Sequence, residues 1–168
     1  MYKIIASIVL YNNKISEIKD LLTEFYKNDI NQKLVIIDNS ETNKLEKEIE
    51  VLNSSIDYIH NKKNSGYGSG NNIAINKYKG KAKYFLVLNP DIFFILEDLE
   101  KLIKYADTKE KFGIISPKIV FPDKECQYSC KLLPGPGNLI ARRFLSILKF
   151  MKKTVEKMDY SYEFRFTD

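Results

Sequence analysis

The chain has 168 residues, 44% of them apolar and 29% charged, and a formal net charge of +5. That length suffices for one domain with its own core, and the balance excludes a disordered chain. The charge is local: residues 138–158 hold Arg142, Arg143, Lys149, Lys152, Lys153 and Lys157 against Glu156 alone, so the remainder is neutral and is not a general polyanion or nucleic-acid binder.

The opening MYKIIASIVLYNN does not read as a signal peptide, because its short apolar stretch stops at Asn12 and Asn13. Its segment KIIASIVL (3–10) reads as a strand buried on both faces. ISEIKDLLTEFY (15–26) carries Ile15, Ile18, Leu21, Leu22 and Phe25 at helical spacing. A second strand follows at 33–37, a helix at 43–52 with Leu45, Ile49 and Leu52 on one face, and a short strand at 55–60. Residues 61–70 read as a loop with Gly66, Gly68 and Gly70, and Asn71 is placed to cap a helix over 71–79. A central strand at 83–88 and an amphipathic helix at 96–106 come next. GIISPKIV (113–120) reads as a fifth strand, interrupted or ended near Pro117, with a turn at FPDK. LLPGPGN (132–138) breaks the pattern, and residues 139–158 read as a basic amphipathic helix. Cys126 and Cys130, with one distant His, do not make a zinc site and are read as reduced thiols.

Strands alternating with helices of about ten residues predict an α/β fold: a three-layer, Rossmann-like nucleotide-binding sandwich on a mostly parallel sheet. In such sheets ligands lie beyond the carboxyl ends of the strands, and there the sequence places its polar groups. Asp38 follows the apolar run Leu34–Ile37, where a carboxylate can accept from a ribose or a base N–H. Its structural alternative is a turn or cap. Asn89-Pro90-Asp91 follows another apolar strand, and proline restricts the backbone on both sides. A carboxylate held there suits Mg²⁺ or Mn²⁺ beside a diphosphate; its structural alternative is a cap on the following helix. The loop GYGSGNN matches neither a dinucleotide fingerprint nor a P-loop, and the first strand runs into Leu10-Tyr11-Asn12-Asn13 with no glycine, which counts against NAD, FAD and S-adenosylmethionine. Tyr11 is placed to stack on a base or simply to pack, and the lone His60 reads as structural.

SIVLYNN, VIIDNS, NKKNSGYGSGNN, YFLVLNPD and GIISPKIVFPD, in that order and spacing, resemble family 2 glycosyltransferases of the GT-A fold, in particular the rhamnosyltransferase-like branch acting on cell-surface polysaccharides. The resemblance covers about residues 3–136 and implies two parts, a donor-binding half over 1–136 and a basic helix with tail over 137–168. It implies that Tyr11 and Asn12 line the nucleotide pocket and that Asp38, with Asn39 beside it, binds the base. Asn64, Gly66 and Asn71 would shape the wall under nucleoside and sugar. Asn89-Pro90-Asp91 stands for the DxD element, with Asp91 on the metal, Mg²⁺ or Mn²⁺, and Asn89 replacing the first Asp as is usual in that branch.

The implied activity is metal-dependent transfer of rhamnose or another hexose from a dTDP- or UDP-sugar to a polysaccharide or lipid-linked acceptor. The family's acidic pair, source of the general base in inverting members, has no counterpart in this sequence, so no catalytic residue is assigned. The chain is expected to be a truncated donor-binding half. The alternative is an inactive nucleotide-binding or assembly module that pairs with a second polypeptide or with itself. A nucleotidyltransferase is disfavoured by the absence of a basic Gly-rich loop after Leu10. The expected location is cytoplasmic, with residues 138–158 a candidate contact for the anionic inner face of the cell membrane.

Overall fold

A computed structural model describes residues 1–27 and 30–121 and the backbone of 126–127. The chain divides into two compact units, Met1–Glu110 and Lys111–Asp168. The first contains β1 (Tyr2–Leu10), α1 (Ile15–Phe25), β2 (Gln32–Asp38), α2 (Leu45–Leu52), β3 (Asp57–His60), α3 (Tyr67–Tyr78), β4 (Ala82–Leu88) and α4 (Leu96–Asp107). The strands form one parallel sheet in the order β3-β2-β1-β4. The expected α/β layering is observed. The expected boundary at 136/137, the basic helix within 138–158 and Cys130 lie outside the described residues. No helix among the described residues is long and apolar enough to cross a membrane.

Strand order dictates which face each helix covers. From β1 to β2 to β3 the chain steps one way across the sheet, and from β3 to β4 it returns past both. With right-handed crossovers, α1 and α2 must lie on one face and α3 on the other. The packing agrees. Ala6, Ile8, Leu10, Leu34 and Ile36 bury against Ile18, Leu21, Leu22 and Phe25 of α1 and Leu45 and Ile49 of α2. The alternate residues Ile5, Val9, Val35 and Ile37 bury against Ala74 of α3. Leu99 and Ile103 of α4 pack on Ile4, on the α1 side. The near-continuous apolar run of β1 reflects cover on both faces.

Three expectations are corrected. The strand expected to be central, 83–88, forms β4 at an edge of the sheet among the described residues, and β1 takes an interior place instead. The helix expected from Asn71 begins at Tyr67, so Gly68 and Gly70 are helical, and Gly66 caps the helix at φ +83°, a left-handed conformation suited to glycine. Gly70 does make a close approach, but to the protein itself: a Cβ there would lie 2.9 Å from both methyls of Val9. Asn71 therefore lies inside the helix, buried, rather than at its cap.

Of the expected fifth strand over 113–120, only Ile119–Val120 is a strand, and it is not in the parallel sheet. Among the described residues of the second unit, Ile119–Val120 (β5) pairs antiparallel with Cys126–Gln127 (β6) in a separate two-stranded sheet. Pro117 has no N–H to donate to a ladder and restricts Ser116 before it, while Ile114 is 92% exposed instead of covered by a helix layer.

Candidate functional site at the carboxyl edge of the sheet

Register brings the strand ends together: Leu10 stands opposite Asp38, Asp38 opposite His60, and Ile8 opposite Leu88. The chain reverses its direction across the sheet between β1 and β4, and a crevice at such a reversal is where open α/β sheets take ligands. Tyr11 and Asn12 leave β1 at this point, and Asn89 to Asp91 leave β4.

Asp38 is the last residue of β2 and is 1% exposed. The Ser40 N–H donates to its Oδ1 at 2.9 Å and the Tyr58 hydroxyl to its Oδ2 at 2.5 Å. This carboxylate thus shapes the turn after β2 and fastens it to β3. Burial, joined by the hydrogen bond to Asp38 and its charge, pushes the Tyr58 phenol far above its ordinary value. Tyr78 is raised in the same way, by burial first and then by Asp57, and Tyr26 chiefly by burial.

A raised folded-state value means stability that is complete below the unfolded phenol value, about pH 10, and is lost as pH rises beyond it toward the folded value. The expected result of an alkaline titration is that these phenols gain their 295 nm phenolate absorbance only as circular dichroism reports unfolding. Ionisation ahead of unfolding would contradict the burial described.

Asn39, 2% exposed, anchors the glycine segment: its Nδ2 donates to the Gly66 carbonyl at 3.3 Å, and its Oδ1 accepts from Asn61 Nδ2 at 2.7 Å. Asn61 also donates to Ser65 Oγ at 2.9 Å, and Asn64 Oδ1 accepts from the Gly66 N–H at 3.0 Å. On the other side the Asn12 N–H donates to Ser40 Oγ at 2.8 Å, with Asn12 held at φ +57°, which asparagine tolerates better than most residues. His60 Nε2 pairs with the Ser40 carbonyl at 2.9 Å, a structural role as expected. Ser40, Asn61 and Tyr58 were not singled out from sequence. Asn61 carries the same signal as Asp38, a polar residue directly after a strand; Tyr58 and Ser40 become visible only once β2 and β3 are paired.

The start of α3 closes the site. Ser7, fully buried in β1, donates to Asn71 Oδ1 at 2.6 Å, Asn71 Nδ2 donates to the Tyr67 carbonyl at 3.1 Å, and the Tyr67 hydroxyl donates to Asn89 Oδ1 at 2.6 Å. The residues singled out from sequence thus fall into hydrogen-bonded groups along one edge: Asn12 with Asp38 through Ser40; Asn39, Asn64 and Gly66; and Asn71 with Asn89 through Tyr67. Tyr11 is 51% exposed.

Asp91 is exposed and takes no hydrogen bond or ion pair from a described residue. Among the described residues no three His, Cys, Asp or Glu side chains group as a metal site. A lone exposed carboxylate fits Mg²⁺ or Mn²⁺ in one manner: these ions keep most of their waters and accept one or two protein carboxylates together with substrate phosphates.

The model of the family described as "Glycosyl transferase family 2" matches residues 6–159. The chain belongs to this family. Against a rhamnosyltransferase of Escherichia coli, this family 2 chain is 34% identical over 140 residues, covering 79% of itself and 52% of the relative. An uncharacterized glycosyltransferase of Methanocaldococcus jannaschii is 25% identical over 154 residues with the same coverage, 79% and 52%. The chain therefore spans about half the length of both relatives. Among solved structures, S. aureus TarS superposes with a TM-score of 0.54 at 20% identity, covering 71% of this chain and 24% of that one. A TarS fragment, residues 1–349, gives 0.52 at 16% identity, covering 70% and 42%. At that identity the likeness is one of fold.

Proposed function

We propose that this chain is the donor-binding part of a metal-dependent family 2 glycosyltransferase. It would bind a dTDP- or UDP-sugar for transfer of rhamnose or another hexose to a polysaccharide or lipid-linked acceptor. The observation that carries the reading is the pairing of two kinds of polar group at one sheet edge. A buried network around Asp38, Asn39 and Asn71 fixes the backbone, and exposed side chains, Tyr11 and Asp91, stand at the β1/β4 reversal. Rhamnose is favoured by the 34% identity to a rhamnosyltransferase.

In this reading Tyr11 stacks on the base and Asn12 lines the nucleotide pocket. Asp38 and Asn39 hold the turn beneath the nucleoside, and the Asn64–Gly66 loop forms its wall. Asp91 would hold the Mg²⁺ or Mn²⁺, which when bound neutralises charge on the leaving diphosphate. A preshaped loop lowers the ordering cost of binding.

Calorimetric titration of UDP and dTDP, with Mn²⁺ and with chelator, on wild type and Asp91→Ala tests this. The expected result is metal-dependent binding weakened at least about tenfold, or ~1.4 kcal/mol, in Asp91→Ala. Thermal stability should be unchanged, since Asp91 is exposed.

A second reading is an assembly module whose sheet is completed by another polypeptide or a second copy. It is favoured by β4, an edge strand among the described residues with Val87 45% exposed. A folded wild type that binds neither nucleotide would select it.

A further inference from the structure

Tyr67 sits in the first turn of α3 and reaches across to the segment after β4. Its hydroxyl donates to Asn89 Oδ1 at 2.6 Å, joining residues 22 apart in sequence. Both side chains are exposed at the site edge, yet the near end of the link is anchored deep in the fold. The Tyr67 carbonyl accepts from Asn71, whose own Oδ1 is held by Ser7 on the central strand. In the structure this bond engages the Asn89 amide through its oxygen, and its N–H₂ has no hydrogen-bond partner among the described residues. An amide so oriented presents two donors and is suited to phosphate or sugar oxygens, leaving the neighbouring Asp91 as the anionic group for a cation.

We propose that Tyr67 is a positioning residue for the nucleotide-sugar: it orients the Asn89 amide so that the N–H₂ donates to the donor's oxygens. This inference rests on the donor-binding reading above and adds to it a residue and a direction of hydrogen bonding.

The test combines nucleotide titration with ¹⁵N spectra of the free protein. UDP and dTDP are titrated in Mn²⁺ against wild type, Tyr67→Phe, Asn89→Ala and the double variant. Tyr67→Phe is expected to weaken binding about fivefold, the worth of one net hydrogen bond, with the melting temperature unchanged. In the Asn89→Ala background the same substitution should cost less than about twofold, because its target is gone. In the nucleotide-free spectra the Asn89 side-chain amide signals should move in Tyr67→Phe.

An equal loss in both backgrounds, or amide signals that do not move, overturns the positioning role while leaving donor binding intact. A folded wild type that binds neither nucleotide overturns the donor reading and the positioning role together.

Discussion

Asp38→Ala is expected to cost the fold about 3 kcal/mol in urea unfolding, because a buried and a part-buried donor would lose their acceptor at about 1–3 kcal/mol each. Asp38 accepts from the Ser40 N–H and the Tyr58 hydroxyl and is 1% exposed. Ser40 in turn holds Asn12 and His60, so the loss spreads through the turn to the end of β1 and to β3. Nucleotide binding should fall with it.

Asp38→Asn is expected to be milder, about 1 kcal/mol. The amide oxygen can still accept from Ser40, and the phenol can rotate to accept from the amide N–H₂. An unchanged urea midpoint in Asp38→Ala would show that these bonds carry no stability. Asp91→Ala is expected to be silent in stability and to weaken metal-dependent binding, and that contrast would separate a carboxylate that builds the fold from one that meets a ligand.

Gly70→Val is expected to destabilise by about 2–3 kcal/mol, the range of overpacked cores. A Cβ at Gly70 lies 2.9 Å from both methyls of Val9, a stiff β-branched side chain on the central strand, and 3.5 Å from Asn39 Nδ2. Relief would require α3 to lift from the sheet, pulling on the Ser7–Asn71 bond and tilting the first turn that carries Tyr67. Gly68→Ala makes the matching control. A Cβ there meets nothing within 4 Å, and it should gain up to about 1 kcal/mol of helix propensity. Opposite signs in thermal melting would establish that α3 is held by close packing at Gly70 rather than by intrinsic helix preference. Equal effects at the two positions would refute it.

The start of α3 is also where sequence and structure part. Gly68 and Gly70 in YGSGNN read locally as a loop and Asn71 as a helix cap, because glycine and asparagine are poor helix formers. The helix forms there because contacts distant in sequence stabilise it: Val9 against Gly70 and Ser7 against Asn71. A local pattern cannot contain those contacts. The fifth strand is cut short to Ile119–Val120 for a related reason. GIISPKIV has strand-like residues, but a ladder needs N–H donors and a partner edge, and Pro117 removes one of the former.

What the sequence determined by itself is the alternation of apolar strands with amphipathic helices, hence the parallel α/β sheet. It also determined the polar residues placed just past three strands, because periodicity and punctuation are local properties that burial then reads. What only the tertiary structure decided is the division of labour among those residues. Asp38 became a buried acceptor and Asp91 an exposed carboxylate, although both follow apolar strands. Asp38 lies between β1 and β3 with Tyr58 and Ser40 in reach, whereas Asp91 leaves β4, an edge strand among the described residues, with no described group to satisfy it. Burial and hydrogen-bond partners depend on neighbours brought from elsewhere in the chain, and those are fixed only by strand order and register.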